Sequence, residues 1–244
     1  DELTKMGSFQ IAGSFRYLKI PKVYLRTGRN IVMERKLLNT KNVVLMGMFG
    51  ALAAVLMLFE VPLPFLAPSF YGLDFAEVPM LVGTFALGPA AGVVMQIVKI
   101  LIKLILKPTS TGFVGEFANV VMSCALILPA GVIYRFKKSK TSALAGMAVG
   151  TVLMTVVGVV MNALVMIPFY SNFMPIDTII KAGAAVNPAV SSVWTLAIFC
   201  VGPFNLVKGA LTSMITAVIY KRISVLIHGA SGSCGVKKSS LKKA

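Results

Sequence analysis

The chain has 244 residues, 57% hydrophobic and 13% charged, with a formal charge of +16. A soluble domain usually carries about 25% charged residues, and a core of this size cannot hide so much apolar surface behind so thin a polar skin. Lys and Arg crowd into residues 5–41, 135–140 and 221–243 instead of spreading over a polar fold, which excludes a nucleic-acid partner and points to the lipid bilayer.

Residues 1–41 are basic and hold no apolar stretch, so they are not a secretory signal. The first expected span is 43–59. Val61-Pro62-Leu63-Pro64-Phe65-Leu66-Ala67-Pro68 cannot continue a helix, so 61–75 reads as a loop, and it contains no Lys or Arg. A short second span is expected at 75–87, ended by Gly88-Pro89, and a third at 90–106, closed by Lys107-Pro108. The fourth is 113–134, the fifth 142–168 and the sixth 190–226, with Gly202-Pro203 inside the last as a kink or a true start. Between the last two lies a loop holding Pro175, Asp177, Lys181 and Asn187-Pro188. The fold class is therefore all-α, a polytopic membrane protein with six transmembrane helices. Residues 1–41 form a basic cytoplasmic segment, 42–227 the membrane domain and 228–244 a disordered basic tail.

Six passes put both termini on one side. Nine Lys/Arg precede the first span, four lie between the fourth and fifth, and six follow Ile219. The other loops hold only Lys107 and Lys181, so the termini and the 135–140 loop belong in the cytoplasm.

Polar groups within hydrocarbon cost several kcal/mol unless partnered, and each is a functional candidate. They are Glu77, Gln96, Lys99, Lys103, Glu116, Asn119, Asn162, Asn205 and Lys208. Lys99, Lys103 and Lys107 share a helical face. Lys107 and Lys103 suit snorkelling at a helix end, whereas Lys99 lies deeper, and Glu116 is placed to neutralise a nearby lysine. Asn205 and Lys208 share a face beside Gly202-Pro203, a poor surface for lipid but a good wall for a polar ligand. Asn162 adds an amide that can pair with a heterocycle edge. The competing reading of these amides is hydrogen bonding between helices. In the first span, Gly47–Ala51 and Gly50–Ala54 are small-residue pairs that let another helix approach closely.

Several chemistries lack residues. The chain has no Walker-type phosphate loop, no HExxH and no G-x-S-x-G, and its one histidine is His228. Cys124, Cys200 and Cys234 share no metal or redox spacing. No catalytic site, metal or cofactor is expected, and the chain is not read as an enzyme.

At this point the pattern resembles the S components of energy-coupling-factor (ECF) vitamin transporters, and most closely the riboflavin-specific type. The stretches that carry the resemblance are Leu73-Asp74-Phe75-Ala76-Glu77-Val78-Pro79, Gly88-Pro89-Ala90-Ala91-Gly92, Lys99 and Lys103 followed by Thr111-Gly112-Phe113-Val114-Gly115-Glu116-Phe117-Ala118-Asn119, and Gly202-Pro203-Phe204-Asn205-Leu206-Val207-Lys208-Gly209. They lie within about residues 41–225; residues 1–40 run beyond the family's usual start. The resemblance implies capture of riboflavin, a transported ligand and not a cofactor, at the outer face of a prokaryotic cell membrane. It implies partnership with a transmembrane coupling subunit, which the first helix would face through Gly47, Gly50, Ala51 and Ala54, and with two cytosolic ATPases. The S component would topple in the bilayer to release its ligand inward. Asn162, Asn205 and Lys208 would contact the flavin or its ribityl chain, with Asp74, Asn119 and the loop around Leu66 and Phe70 as secondary contacts. Lys99 is added as a candidate for its depth in the third span. A neutral, planar heterocycle with a polyol chain suits amides, one ammonium and apolar walls, and the one Arg within the spans, Arg222, lies at the far end of the last, away from these candidates.

Three other readings stand beside this one. The same architecture could serve another vitamin, such as thiamine or biotin, or a flavin nucleotide. A secondary transporter could couple to protons through Glu77, Glu116 or Asp74. A structural membrane protein would bind no ligand.

Overall fold

The computed structural model describes residues 39–68, 71–109 and 112–232. Phe70, the basic stretch before residue 39 and the tail after residue 232 lie outside the described residues. The chain divides into two compact units, Asp1–Val43 and Val44–Ala244; the bundle from Val44 onward and its cavity belong to the second.

Helix α1 spans Thr40–Leu58. Two short strands follow, β1 (Val61–Pro62) and β2 (Gly72–Leu73), paired antiparallel with Val61 opposite Leu73. Then come α2 (Glu77–Leu87), α3 (Pro89–Leu106) and α4 (Val114–Phe136). Helix α5 runs Lys140–Tyr170, α6 is Ile176–Ala184, and α7 starts at Val193–Leu196 and continues through Gly202–Gly232. The strand pair and α6 both fall in segments expected to be loops. The strands are two residues each, too short for an alternation to register in sequence. Helix α6 is amphipathic, burying Ile179 and Gly183.

Among the described residues, five helices are long and apolar enough to cross a membrane. The sixth expected span is α2, with 11 residues. At about 1.5 Å per residue it covers roughly 16 Å, about half the hydrocarbon thickness. Nine of its residues, Glu77 to Phe85, are buried, so protein surrounds it almost completely.

Solvent preference is inverted across the bundle. Met48, Leu52, Ile97, Leu101, Ile105, Val152, Val156, Met214 and Val218 are exposed, while Asp74, Glu77, Gln96, Lys99, Asn162 and Asn205 are buried. That arrangement suits hydrocarbon outside and polar partners inside. Helices α4 and α5 approach closely because a Cβ at Gly146 would lie 2.9 Å from the Ala130 carbonyl and one at Gly150 would strike the Leu126 carbonyl. Glycine removes that obstruction.

Two widened turns, each with i→i+5 bonding, interrupt α5 at Asn162–Met166 and α7 at Ala197–Val201. Pro168 and Pro203 each follow one residue beyond such a turn. Proline has no N–H for the carbonyl four residues back, and an extra residue in the turn absorbs that defect. The same distortion places Asn162 and Asn205 beside irregular backbone.

Candidate functional site

A cavity of about 440 Å³ opens where the ends of α3, α4, α5 and α7 meet the β1–β2 loop and α6. That volume falls within the range of small-molecule sites. Asp74, Asn119, Asn162, Asn205 and Lys208 line it, from four separate segments of the chain. Met57, Met122, Met166, Ile167 and Phe204 supply apolar wall, and Tyr71 and Tyr170 supply aromatic wall.

Lys208 Nζ lies 2.7 Å from Asp74 Oδ2. Asp74 also accepts from the Ala76 backbone N–H at 3.0 Å. Burial pushes the Asp74 carboxyl upward, but the charges of Lys208 and Lys99 and these hydrogen bonds prevail, and they hold it below its ordinary 3.8. Asp74 is therefore a carboxylate, and the pair is neutral as a whole.

Asn162 is tied on both sides. Its Oδ1 accepts from the Tyr71 hydroxyl at 2.7 Å, and its Nδ2 donates to the Gly158 carbonyl at 2.8 Å. Burial, with smaller effects from Tyr170 and Cys200, raises the Tyr71 pKa, so the phenol keeps its proton and donates. Tyr71 also packs on Phe204, with ring centroids 5.9 Å apart. Asn205 Nδ2 donates at 3.1 Å to the carbonyl of Val201, the last residue of the widened turn. A carbonyl can only accept, so the Asn205 amide is oriented with its oxygen as the remaining group.

Behind Asn119 lies a buried polar network linking α2, α3 and α4. Lys99, fully buried, donates to Glu77 Oε1 at 2.9 Å, Asn119 Oδ1 at 3.0 Å and Ser123 Oγ at 3.4 Å. Gln96 Nε2 donates to the same Asn119 oxygen at 3.2 Å, and the Ser123 hydroxyl donates to Glu77 Oε1 at 2.5 Å. Lys99 is thus behind the cavity wall and not on it. Nearer the mouth, Lys103 donates to Glu116 at 2.6 Å, and Thr109 donates to the other Glu116 oxygen at 2.9 Å. Glu116 does neutralise a lysine of the third span, and that lysine is Lys103. Lys103 is itself buried, so it does not snorkel.

Two further expectations change. Leu66 is not among the cavity-lining side chains; it packs against the apolar cluster of Ala67, Leu73, Val190 and Leu196 beneath the loop. The small residues of α1 divide. Gly50 and Ala54 are buried, and a Cβ at Gly50 would lie 2.8 Å from Val98 Cγ1, so they pack within the chain. Gly47 and Ala51 are half-buried, with nothing within 4 Å of a Cβ at Gly47. Sequence reasoning missed Tyr71 and Ser123 as site or support residues, whereas Gln96 stood among the polar candidates of the apolar spans.

The family model of ECF transporter substrate-specific components matches residues 41–220. Riboflavin transporter RibU of Staphylococcus aureus is 31% identical over 184 residues, covering 75% of this chain and 90% of that protein. Riboflavin transporter FmnP of Bacillus subtilis is 26% identical over 194 residues, covering 78% and 96%. A solved structure of the S component of a bacterial ECF transporter superposes with a TM-score of 0.60 at 30% identity, covering 77% of this chain and 97% of that one. With matches of this extent in sequence and fold, the chain belongs to the ECF transporter substrate-specific component family.

Proposed function

We propose that this protein captures riboflavin as the substrate-specific component of an ECF importer, with ATP hydrolysis supplied by separate subunits. The relatives at 31% and 26% identity are named riboflavin transporters. The observation that carries the reading furthest is the electrical balance of the cavity. Its buried acids Asp74 and Glu116 each hold an ammonium, from Lys208 and Lys103, and its two exposed charged lining residues, Glu60 and Lys107, are opposite in sign. The lining is thus neutral as a whole, and its interior offers a ligand amide, hydroxyl and apolar surface, which suits a neutral heterocycle with a polyol chain. Asn162, Asn205 and Lys208 are the proposed contacts to flavin or ribityl, with Asn119 and Asp74 beside them.

The same pairing argues against proton coupling. Glu77, Glu116 and Asp74, the acids a proton carrier would use, are each within 2.9 Å of a lysine nitrogen. Each carboxylate already has a fixed partner of opposite charge within the chain.

The proposed topology has six passes, with α2 as a short sixth enclosed by neighbouring helices. Arg135, Lys137, Lys138 and Lys140 sit at the end of the bundle opposite the cavity, which supports a cytoplasmic location for that end and an outward-facing cavity. Both termini, including the basic segment 1–41 and the tail 228–244, would then be cytoplasmic, in the cell membrane of a prokaryote. A transmembrane coupling subunit and two ATPases complete the machine, and toppling of the S component would deliver the ligand.

The test is titration of the purified protein with riboflavin, read by flavin fluorescence quenching and by the absorbance of the purified sample. Saturable quenching is expected. A flavin-free sample that neither quenches nor takes up heat at saturating riboflavin sinks the proposal, and a thermal-shift panel of other vitamins then names the replacement.

A further inference from the structure

Asn119 lines the cavity, yet its oxygen is already used. Lys99 Nζ at 3.0 Å and Gln96 Nε2 at 3.2 Å both donate to Asn119 Oδ1. An ammonium has donors only, so the amide atom facing Lys99 must be the carbonyl oxygen, and the usual ambiguity between amide N and O is removed. The Asn119 nitrogen has no hydrogen-bond partner among the described residues. Lys99 is fixed in turn, since its three donors meet Glu77, Asn119 and Ser123. Glu77 Oε1 receives both Lys99 and Ser123.

We propose that Asn119 is an obligatory hydrogen-bond donor to the captured ligand, and that Lys99, Gln96 and Glu77 are positioning residues that enforce this polarity. The ligand group it selects is an acceptor: a carbonyl oxygen, a ring nitrogen without hydrogen, or a hydroxyl oxygen. The inference deepens the riboflavin reading and rests on it. Asn205 differs: one N–H of its amide is tied to the Val201 carbonyl, and its oxygen remains as an acceptor. The two amides thus favour a ligand that offers an acceptor beside Asn119 and a donor beside Asn205. Buried donors left unpaired are costly, which makes such a site discriminating.

The test uses Asn119→Asp in the full chain. Aspartate is nearly isosteric, keeps an oxygen for Lys99 and Gln96, and replaces the free N–H₂ with a second acceptor. Riboflavin affinity should fall roughly tenfold or more with the melting temperature preserved. A second arm reads the positioning role. Lys99→Met together with Glu77→Gln, which removes both charges, should weaken riboflavin several-fold when Asn119 is present and have no further effect in an Asn119→Ala background. Affinity of Asn119→Asp within twofold of wild type overturns the donor assignment. Equal loss from the double change in both backgrounds overturns the positioning role and leaves a structural one. Wild-type protein that does not bind riboflavin overturns the underlying reading, and with it this one.

Discussion

Lys208 reaches across 134 positions of sequence to hold Asp74 at 2.7 Å, joining α7 to the segment between β2 and α2. The two side chains are only 11% and 5% exposed. Neither charge tolerates that burial alone: removing one partner of a buried pair typically costs about 3–5 kcal/mol. Lys208→Ala should therefore lower the melting temperature and weaken riboflavin at least about tenfold, or 1.4 kcal/mol. Lys208→Met combined with Asp74→Asn should recover most of the stability but not the affinity. A double variant with wild-type affinity would mean that the pair holds the fold and has no part in the site.

The same carboxylate sets an acid limit. Its folded pKa is depressed below the ordinary 3.8 by Lys208, Lys99 and two hydrogen bonds, against the upward pull of burial. A depressed acid contributes its stabilisation in full above the unfolded value and loses it as pH falls through the folded one. The melting temperature in detergent should be insensitive to this group above about pH 5 and fall below that. Asp74→Asn should flatten the acid side of the curve while lowering the plateau. An unchanged acid slope in that variant would remove Asp74 from the account.

Much of this was legible in the chain because hydrocarbon makes polarity expensive. Asn119, Asn162, Asn205 and Lys208 stood out as the polar exceptions in apolar spans, and all four line the cavity. Glycine–proline pairs marked the break between α2 and α3, where Gly88 adopts φ 106°. Pairing was harder to read. Lys99 and Glu77 are 22 apart in sequence, and Lys208 and Asp74 lie 134 apart, so no periodicity connects them. Tyr71 sits in a proline-rich loop, where nothing local announces that its hydroxyl would reach Asn162 in α5. The inward turn of Gly50 depends on which face of α1 meets Val98, and a small-xxx-small pattern does not specify its partner.

Gly158 offers a way to disturb the site without breaking the bundle. A Cβ there would lie 2.5 Å from Asn205 Nδ2 and 3.3 Å from Met122 Sδ. Both are ends of side chains that can move, so Gly158→Ala should fold normally. The displaced amide, however, would lose its bond to the Val201 carbonyl, now 3.1 Å. Riboflavin affinity is expected to fall about tenfold, with a melting temperature within a few degrees of wild type. Unaltered affinity in a titration by fluorescence quenching would show that the orientation of Asn205 is immaterial.

The two small-residue pairs of α1 should separate packing from partnership. Gly50 is closed by Val98 Cβ at 3.0 Å and the Met95 carbonyl at 3.2 Å from any added Cβ, so even Gly50→Ala forces α1 away from α3. Overpacking of this kind costs about 1–3 kcal/mol, and the melting temperature should drop. Gly47 meets nothing within 4 Å, and its neighbour one turn on, Ala51, is also half-buried. Gly47→Trp should leave melting and riboflavin affinity unchanged. If this face seats the coupling subunit, the same change should abolish uptake in vesicles that contain the complete transporter. Normal uptake with tryptophan at position 47 would move the partner surface elsewhere on the bundle.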